Sequence, residues 1–326
     1  MSRSPNARAL ACPASLKGVL TPVEAAAHLA AGLRRVDGVE AVELPVADGG
    51  NGTAEALHAA LGGEWRTAVV SDPLGRLIAA RWLAVPDGTA VVEAAEAIGL
   101  SLVAPAERDP LRTSSAGFGE LLMAIVGYRP ASILACVGGT ATVDGGAPLL
   151  ATVGRGLGDI PLRVACDVGN PLLGERGAAR VFGPQKGADA EAVEELEVRL
   201  AAIDELAPYR DLPGAGAGGG LGAALAALGG ELLDGAELVL RLLAFDDHAR
   251  GASLVVTGEG TVDATTFEGK APGAVVRRCA ALGVRCVLFG GVVRKGLDAR
   301  ALSGDPSLAA GDLVQLGEEL ALGLVG

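Results

Sequence analysis

The residues most able to do chemistry are concentrated in one glycine-rich stretch, V-G-G-T-A-T-V-D-G-G at Val137–Gly146. An apolar run suited to a buried strand precedes it at Ser132–Cys136, and a run suited to a helix follows at Ala147–Val153. Glycines let a backbone approach an anion closely, and free N–H groups of a first helical turn can bind phosphate. Asp144 adds a carboxylate, which is useful beside phosphate if a divalent cation lies between them. A tight turn with a capping aspartate is the simpler interpretation of this stretch alone.

Other glycine turns also carry acids or lysines. Of the 27 basic residues only four are Lys, and each of these adjoins a glycine. A compact ammonium fits a tight phosphate pocket where a broad guanidinium does not. Phosphoryl transfer needs mainly positioning and charge neutralisation, so acids that hold Mg²⁺ and lysines that hold phosphate would suffice. Each acid taken singly is more often a turn or cap residue. The candidate residues in these turns are Lys17, Asp48, Asp144, Asp167, Lys186, Glu259, Asp263 and Lys270.

The first elements of the chain predict an α/β unit with parallel strands. Strands are expected at Arg8–Cys12 and Val39–Leu44. The helix between them should begin at Thr21-Pro22-Val23-Glu24. Thr21 would cap its N-terminus, Pro22 would take the first helical position, and the side chain of Glu24 would accept the backbone N–H of Thr21. The loop Ala47–Thr53 follows the second strand and repeats the D-G-G of the central stretch, and a helix is expected at Ala54–Leu61. A strand, a helix and a second strand imply a right-handed crossover.

The pattern changes from Trp65, where a second domain is expected to begin. Three short strands joined by tight turns predict an antiparallel meander. Later segments alternate again between strand and helix patterns. The expected elements are strands at Thr67–Ser71, Leu77–Val85, Ala90–Ala94, Arg163–Asp167, Ser253–Thr257 and Arg285–Phe289, a loop over Asn170–Ala188, a turn at Gly258–Asp263, and helices beginning at Thr113–Glu120, after Asp189 (to Ala207), within Gly214–Leu225 and at Pro272.

Composition excludes several classes of protein. The formal net charge is −12 and there is no basic run, which argues against nucleic acid and anionic membrane surfaces as partners. Five dispersed cysteines indicate buried thiols in a reducing compartment. The N-terminus lacks a signal-peptide pattern, and the uncharged segment Leu212–Gly230 is too rich in glycine for a confident membrane span. A cytoplasmic protein is therefore expected.

The sequence lacks the motifs of several common catalytic, metal and nucleotide sites. The three histidines are isolated and no Cys/His spacing fits a zinc site. There is no G-x-S-x-G elbow of a serine hydrolase and no Walker G-x-x-x-x-G-K-[ST]. G-x-G-x-x-G does occur at Gly214, Gly216 and Gly219, but no strand is expected before it, which disfavours a dinucleotide site.

Several long glycine-rich motifs together resemble the bacterial glycerate kinase family of the glycerate 2-kinase type. They occur in the order of that family between about residue 10 and residue 290. The motifs are P-V-A-D-G-G-N-G-T, V-G-G-T-A-T-V-D-G-G, A-C-D-V-G-N-P-L-L-G, V-F-G-P-Q-K-G-A, P-G-A-G-A-G-G-G-L-G-A and V-V-T-G-E-G-T-V-D.

The resemblance implies a two-domain α/β fold: a Rossmann-like parallel-sheet domain with a second, mixed α/β domain inserted in it and the active site in the interdomain cleft. The expected bounds are residues 1–63 and 246–326 for the first domain and 64–245 for the second. It also implies phosphorylation of glycerate that depends on ATP and Mg²⁺, with 2-phosphoglycerate the favoured product. Glycerate and ATP are the expected partners, and a homodimer is left open.

The resemblance and the glycine turns together suggest roles for individual residues. The expected catalytic residues are Asp144, Lys17, Asp48 and Asp263. Asp144 and Asp167 are the expected ligands of Mg²⁺. The residues expected to bind phosphate or substrate are Gly49, Gly50, Gly138, Gly139, Thr140, Lys186, Glu259 and Lys270.

The chain departs from the family pattern in its site loops. Ala14 and Leu16 replace Asp and Phe in the first loop, and Asn51 replaces Glu in the second. The other changes are Thr140 and Val143 in place of Ser and Asn, and Thr261 in place of Arg. These changes motivate an alternative hypothesis, in which the protein binds nucleotide or a hydroxy acid without efficient chemistry, or with altered specificity.

Overall fold

The computed structural model describes residues 7–154 and 156–325. The chain packs as two compact units: unit 1 is Met1–Asp48, Glu55–Leu61 and Ala236–Gly326, and unit 2 is Gly49–Ala54 and Gly62–Gly235. Residues 1–6 and 326 of the expected first domain, and residue 155 of the second, lie outside the described residues. The domain bounds expected from the sequence stay a prediction, as does the cleft between the domains.

The described residues form strands and helices that follow one another along both units. The strands are β1 (Ala7–Ala11), β2 (Val39–Glu43), β3 (Glu64–Ser71), β4 (Leu77–Ala84), β5 (Thr89–Glu93), β6 (Ser132–Cys136), β7 (Leu162–Cys166), β8 (Glu231–Asp234), β9 (Leu254–Val262), β10 (Cys286–Val293) and β11 (Arg300–Ala301). The α-helices are α1 (Pro22–Leu33), α2 (Thr53–Leu61), α3 (Ala95–Ile98), α4 (Ala116–Tyr128), α5 (Ala147–Val153), α6 (Ala178–Phe182), α7 (Ala190–Ala201), α8 (Ala217–Ala227), α9 (Gly235–Leu242), α10 (Phe245–Ala249), α11 (Ala271–Leu282) and α12 (Ala309–Val325).

Unit 1 is built on a parallel sheet in the order β11-β10-β9-β1-β2. Its core places α1 and α12 against the sheet, with Leu29, Leu313 and Phe289 fully buried. The expected start of α1 is confirmed: Thr21 Oγ1 accepts the N–H of Glu24, and Glu24 Oε2 accepts the N–H of Thr21 at 2.9 Å. Local sequence therefore determines where this helix begins.

Unit 2 has a mixed sheet in the order β3-β4-β5-β6-β7-β8. The β3–β4 and β4–β5 pairs are antiparallel, which confirms the expected meander, and the remaining pairs are parallel. Helix α4 fills the core of this unit with Phe118, Leu121 and Leu122. The α/β class with a parallel and a mixed sheet is thus confirmed. Within the described residues, no helix combines the length and the apolarity needed to cross a membrane.

Three expectations about local structure were wrong, and one strand was missed. The turn expected at Gly258–Asp263 is mostly strand, because β9 continues to Val262 beside the extension of β10. Helix α7 ends at Ala201 rather than Ala207, and a 3-10 turn follows at Asp204–Leu206. The loop expected over residues 170–188 contains α6 and a 3-10 turn, and β8 was not anticipated.

The glycine-rich first turn of α8 packs tightly against the loop that follows β6. Gly218, Gly219 and Gly220 all have positive φ angles, of 65°, 78° and 99°. A Cβ atom at Gly219 would overlap the carbonyl oxygen of Thr142. This segment therefore supports the loop by close backbone contact, and the G-x-G-x-x-G spacing within it has a structural cause.

Gly219→Ala should destabilise the protein strongly, because the new Cβ atom meets backbone and φ is positive. We expect a loss of at least about 3 kcal/mol in the free energy of unfolding. The matched control is Gly229→Ala, where φ is 87° and no atom lies within 4 Å of the added Cβ; its cost should be about 1–2 kcal/mol. Urea unfolding compares the two variants, and equal midpoints would contradict the packing argument.

Candidate functional site

Unit 2 brings three glycine loops together at the carboxyl ends of its parallel strands. The N–H of Gly138, just after β6, donates to the carbonyl of Gly49 at 3.2 Å. A Cβ atom at Gly138 would lie 2.7 Å from Gly50 Cα and 3.0 Å from Asp167 Oδ2. Asp167 directly follows β7. The structure thus gathers Gly49, Gly50, Gly138 and Asp167, and the absence of a side chain at Gly138 permits this approach.

Gly139 and Thr140 present two adjacent N–H groups that bind no acceptor within the described residues. The loop is fixed on both sides of them, because Gly139 O accepts the N–H of Leu100 and Ala141 N donates to Ile98 O, each at 2.9 Å. Gly139 has a φ of 75°, a conformation that favours glycine. Two successive free N–H groups held in a fixed turn can bind an anion.

Lys186 places a buried ammonium beside these amides. Its side chain is 4% exposed, and Nζ donates to Thr140 Oγ1 at 3.1 Å and to Thr142 O at 2.8 Å. An ammonium has three donors, so one remains for a ligand. Burial lowers the pKa of Lys186 to about 8, although the charges of Asp167 and Asp144 favour the protonated form. The ammonium therefore remains mostly charged at neutral pH.

Asp144 holds the loop in place with both carboxylate oxygens. Oδ2 accepts the N–H of Ser115 at 2.7 Å and Oδ1 accepts the N–H of Gly146 at 3.0 Å. Burial raises the pKa of Asp144, and these N–H groups oppose the rise. Ser115 Oγ accepts the N–H of Leu149 at 3.3 Å. The expectation that the first turn of α5 offers free N–H groups was therefore wrong, because side chains of the same unit already bind there.

The carboxylates of unit 2 fit only one mode of Mg²⁺ binding. Among residues 7–154 and 156–325, no three His, Cys, Asp or Glu side chains gather into a metal-binding group. Mg²⁺ is commonly held by one or two carboxylates together with substrate phosphates. Asp167 beside the free N–H groups fits that mode. The contacts of Asp144 suit the support of the loop better than ligation.

Unit 1 gathers the other candidate residues around Glu259. Lys270 Nζ lies 3.4 Å from Glu259 Oε2 and 3.9 Å from Asp263 Oδ1. Glu259 is 8% exposed, and its Oε1 accepts the hydroxyl of Thr266 at 2.7 Å. Burial raises the pKa of Glu259, and the charge of Asp48 adds to the rise. Asp48, Glu259 and Lys270 therefore form one electrostatic group.

Asp263 and Lys17 lie at the margins of this group. Asp263 caps the 3-10 turn that precedes α11, and the hydroxyl of Thr265 is the main cause of its lowered pKa. Lys17 lines a cavity of about 260 Å³ together with Glu259 and Lys270. Unit 1 thus contains Lys17, Asp48, Glu259, Asp263 and Lys270, whereas the remaining candidates belong to unit 2.

Sequence reasoning missed Glu93, a buried carboxylate at the end of β5. Its Oε1 accepts the N–H of Ala54 at 2.8 Å and its Oε2 accepts the N–H of Gly52 at 3.2 Å. Glu93 is 7% exposed and fixes the D-G-G-N-G-T loop that carries Gly49 and Gly50. An acid that ends the apolar run T-A-V-V-E was the available signal. Such a residue usually has a specific partner, because an unpaired buried charge is costly.

Comparison with known proteins identifies the family. The profile of the glycerate kinase family matches residues 9–159 and 153–307. The glycerate 2-kinase of Escherichia coli K12 is 40% identical over 80% of this chain and 78% of its own length. The glycerate kinase of Halalkalibacterium halodurans is 37% identical over 88% of this chain and 86% of its own.

A solved structure shows the same fold. A protein of Salmonella typhimurium LT2, assigned as glycerate kinase 2, superimposes with a TM-score of 0.83 at 33% identity, covering 98% of each chain. Fold and relatives together define a small-molecule kinase that acts on an alcohol group. The chain belongs to the glycerate kinase family, so the resemblance drawn from its glycine-rich motifs is confirmed.

The buried ammonium of Lys186 should make stability depend on pH. With a pKa of about 8 in the folded protein and 10.5 as the ordinary value, the unfolded chain binds more protons between these values. Stability of the wild type relative to Lys186→Met should therefore increase from pH 8 to pH 10.5 and be constant below pH 7. Urea unfolding of both proteins at pH 7 and pH 9.5 measures how the difference between their free energies of unfolding changes with pH. A difference independent of pH would contradict the lowered pKa.

Proposed function

We propose that the protein transfers the γ-phosphoryl group of ATP to glycerate in the presence of Mg²⁺, giving 2-phosphoglycerate. Family membership supports a kinase of this class, and the Escherichia coli relative bears the name glycerate 2-kinase. The observation that carries the proposal is the free N–H pair of Gly139 and Thr140 beside the buried ammonium of Lys186. A cytoplasmic location and a homodimer stay predictions.

The cradle of unit 2 is suited to the transferred phosphoryl group. The N–H groups of Gly139 and Thr140 donate to its oxygens, and Lys186 neutralises part of its charge. Asp167 would hold Mg²⁺, which supplies further neutralisation of phosphate charge when bound. Asp144 and Glu93 keep the cradle in place through backbone N–H groups. Donors fixed before the reaction need no reorganisation as charge develops.

The charged group of unit 1 is suited to binding phosphate and to transferring a proton. Lys17 and Lys270 carry positive charge that can bind phosphate. Asp48 is half-buried and close enough to influence Glu259, and it is the carboxylate of unit 1 that we assign to proton transfer. Glu259 and Asp263 position Lys270 by ion pairing. A weak base suffices, because phosphoryl transfer depends mainly on positioning and charge neutralisation.

The first test is the release of ADP in a coupled assay with D-glycerate and Mg²⁺. The wild type should turn over, and Lys186→Met should lower kcat/KM by at least about 10²-fold through loss of a preorganised charge. Lys295→Met is the control, since Lys295 is an exposed lysine next to a glycine outside both groups. Absence of turnover by the wild type rejects glycerate kinase activity, and phosphorus NMR identifies the product.

The altered loop residues favour one alternative, binding without efficient chemistry. Asn51 packs against Gly139 in the cradle, and Thr261 lines the cavity of unit 1. Changes at these two places would weaken catalysis while leaving binding intact.

On that alternative, ADP raises the melting temperature of the wild type without any release of ADP from ATP and glycerate. Ala14→Asp combined with Thr261→Arg should then restore some turnover, since both residues match the family pattern. Turnover of the unaltered protein at ordinary kinase rates, of about 1–100 s⁻¹, excludes this alternative. Differential scanning calorimetry and the coupled assay, applied to the same preparations, separate the two functions.

A further inference from the structure

The cavity of unit 1 has walls that the chemistry of phosphate does not explain. Its volume is about 260 Å³, close to the lower end of the range of about 300–1,000 Å³ found for pockets of drug-sized ligands. Apolar side chains supply much of its surface: Leu16, Val19, Val292, Leu302, Pro306 and Ala309. A site made only for phosphate would not need an apolar wall of this extent.

The charged residues of this cavity fall into two sets, one with two lysines and one with carboxylates alone. One contains Lys17 and Lys270 with Glu259. The other contains two carboxylates, Asp305 and Asp312. Asp312 Oδ2 accepts the N–H of Ser303 at 3.0 Å, and Asp305 Oδ1 accepts the N–H of Ser307 at 2.9 Å. The second oxygen of each carboxylate has no donor within the described residues, so both can accept hydrogen bonds from a ligand.

We propose that this cavity binds the nucleoside of the nucleotide substrate, which deepens the proposed function and rests on it. A purine has two apolar faces that the walls can cover and an amino group that donates. Ribose carries a pair of hydroxyls, and a carboxylate is a known acceptor for such hydroxyls. The two lysines then face the phosphates that leave the ribose. The ligand thus needs apolar surface, hydrogen-bond acceptors and positive charge, and the cavity supplies all three.

Glycerate fits this cavity poorly. Each of its three carbons carries oxygen, so it has no apolar face to cover Val292 or Leu302. It also carries a negative charge, which Asp305 and Asp312 would repel. A small anion is better bound by N–H groups and positive charge than by an apolar wall.

Val292→Asp tests the proposal, because Val292 is an exposed part of the apolar wall. A charge there should raise the Kd of ADP and of AMP at least tenfold in calorimetric titration, with Kd of inorganic pyrophosphate and KM of glycerate unchanged within twofold. The control is Val181→Asp, since Val181 in unit 2 is 43% exposed and Val292 is 44% exposed. It should change none of these values. Val292→Thr keeps the β-branched shape of the strand residue and should weaken ADP binding in the same direction.

The outcomes separate this proposal from the proposed function. Unchanged ADP affinity in both Val292 variants overturns the nucleoside site, as does an equal loss of affinity for pyrophosphate. A raised KM for glycerate with unaltered ADP affinity overturns it too and assigns the cavity to the acid. If the wild type binds ADP, loses that binding in Val292→Asp and yet shows no turnover of glycerate, the nucleoside site is supported and the glycerate kinase activity is rejected.

Discussion

The candidate site of unit 2 depends on close contact between glycine backbones. Gly138 lies against Gly50 and Asp167, and Gly219 lies against the carbonyl of Thr142. These contacts hold the loop after β6 from two sides, so the N–H groups of Gly139 and Thr140 keep a fixed direction. A side chain at either glycine would force the loops apart. The high glycine content of the motifs is therefore mainly a packing requirement, and the anion cradle is its consequence.

Burial and charge pairing have opposite effects on the protonation of the buried groups in each unit. Lys186 is almost fully buried, which favours its neutral form, while Asp167 and Asp144 favour the ammonium. In unit 1, burial favours protonated Glu259 while Lys270 favours the carboxylate. A phosphate adds negative charge, so beside Lys186 it favours the protonated ammonium, and beside Glu259 it further disfavours the ionised carboxylate. Anion binding should thus couple to protonation in both units, although the two groups have different partners.

The sequence predicts those features that local interactions determine. The capping box at Thr21, the strand Ser132–Cys136 and the helix Ala147–Val153 follow from short-range patterns. The extension of β9 to Val262 depends on pairing with β10, which no local pattern shows. The roles of Asp144 and Glu93 also depend on partners distant in the chain. The family could be inferred from the sequence because several long motifs occur together. The arrangement of the two units relative to each other stays a prediction.

Several acids have contacts that their residue type and motif alone do not indicate. Asp144 stands in the most prominent motif, yet both of its oxygens accept backbone N–H groups. Asp263 caps a turn, and Glu93, which no motif indicated, fixes the neighbouring loop. Asp167 directly follows β7 and lies against Gly138. In a site built from glycine loops the backbone has few side chains to fix it, so buried carboxylates such as Asp144 and Glu93 provide that support.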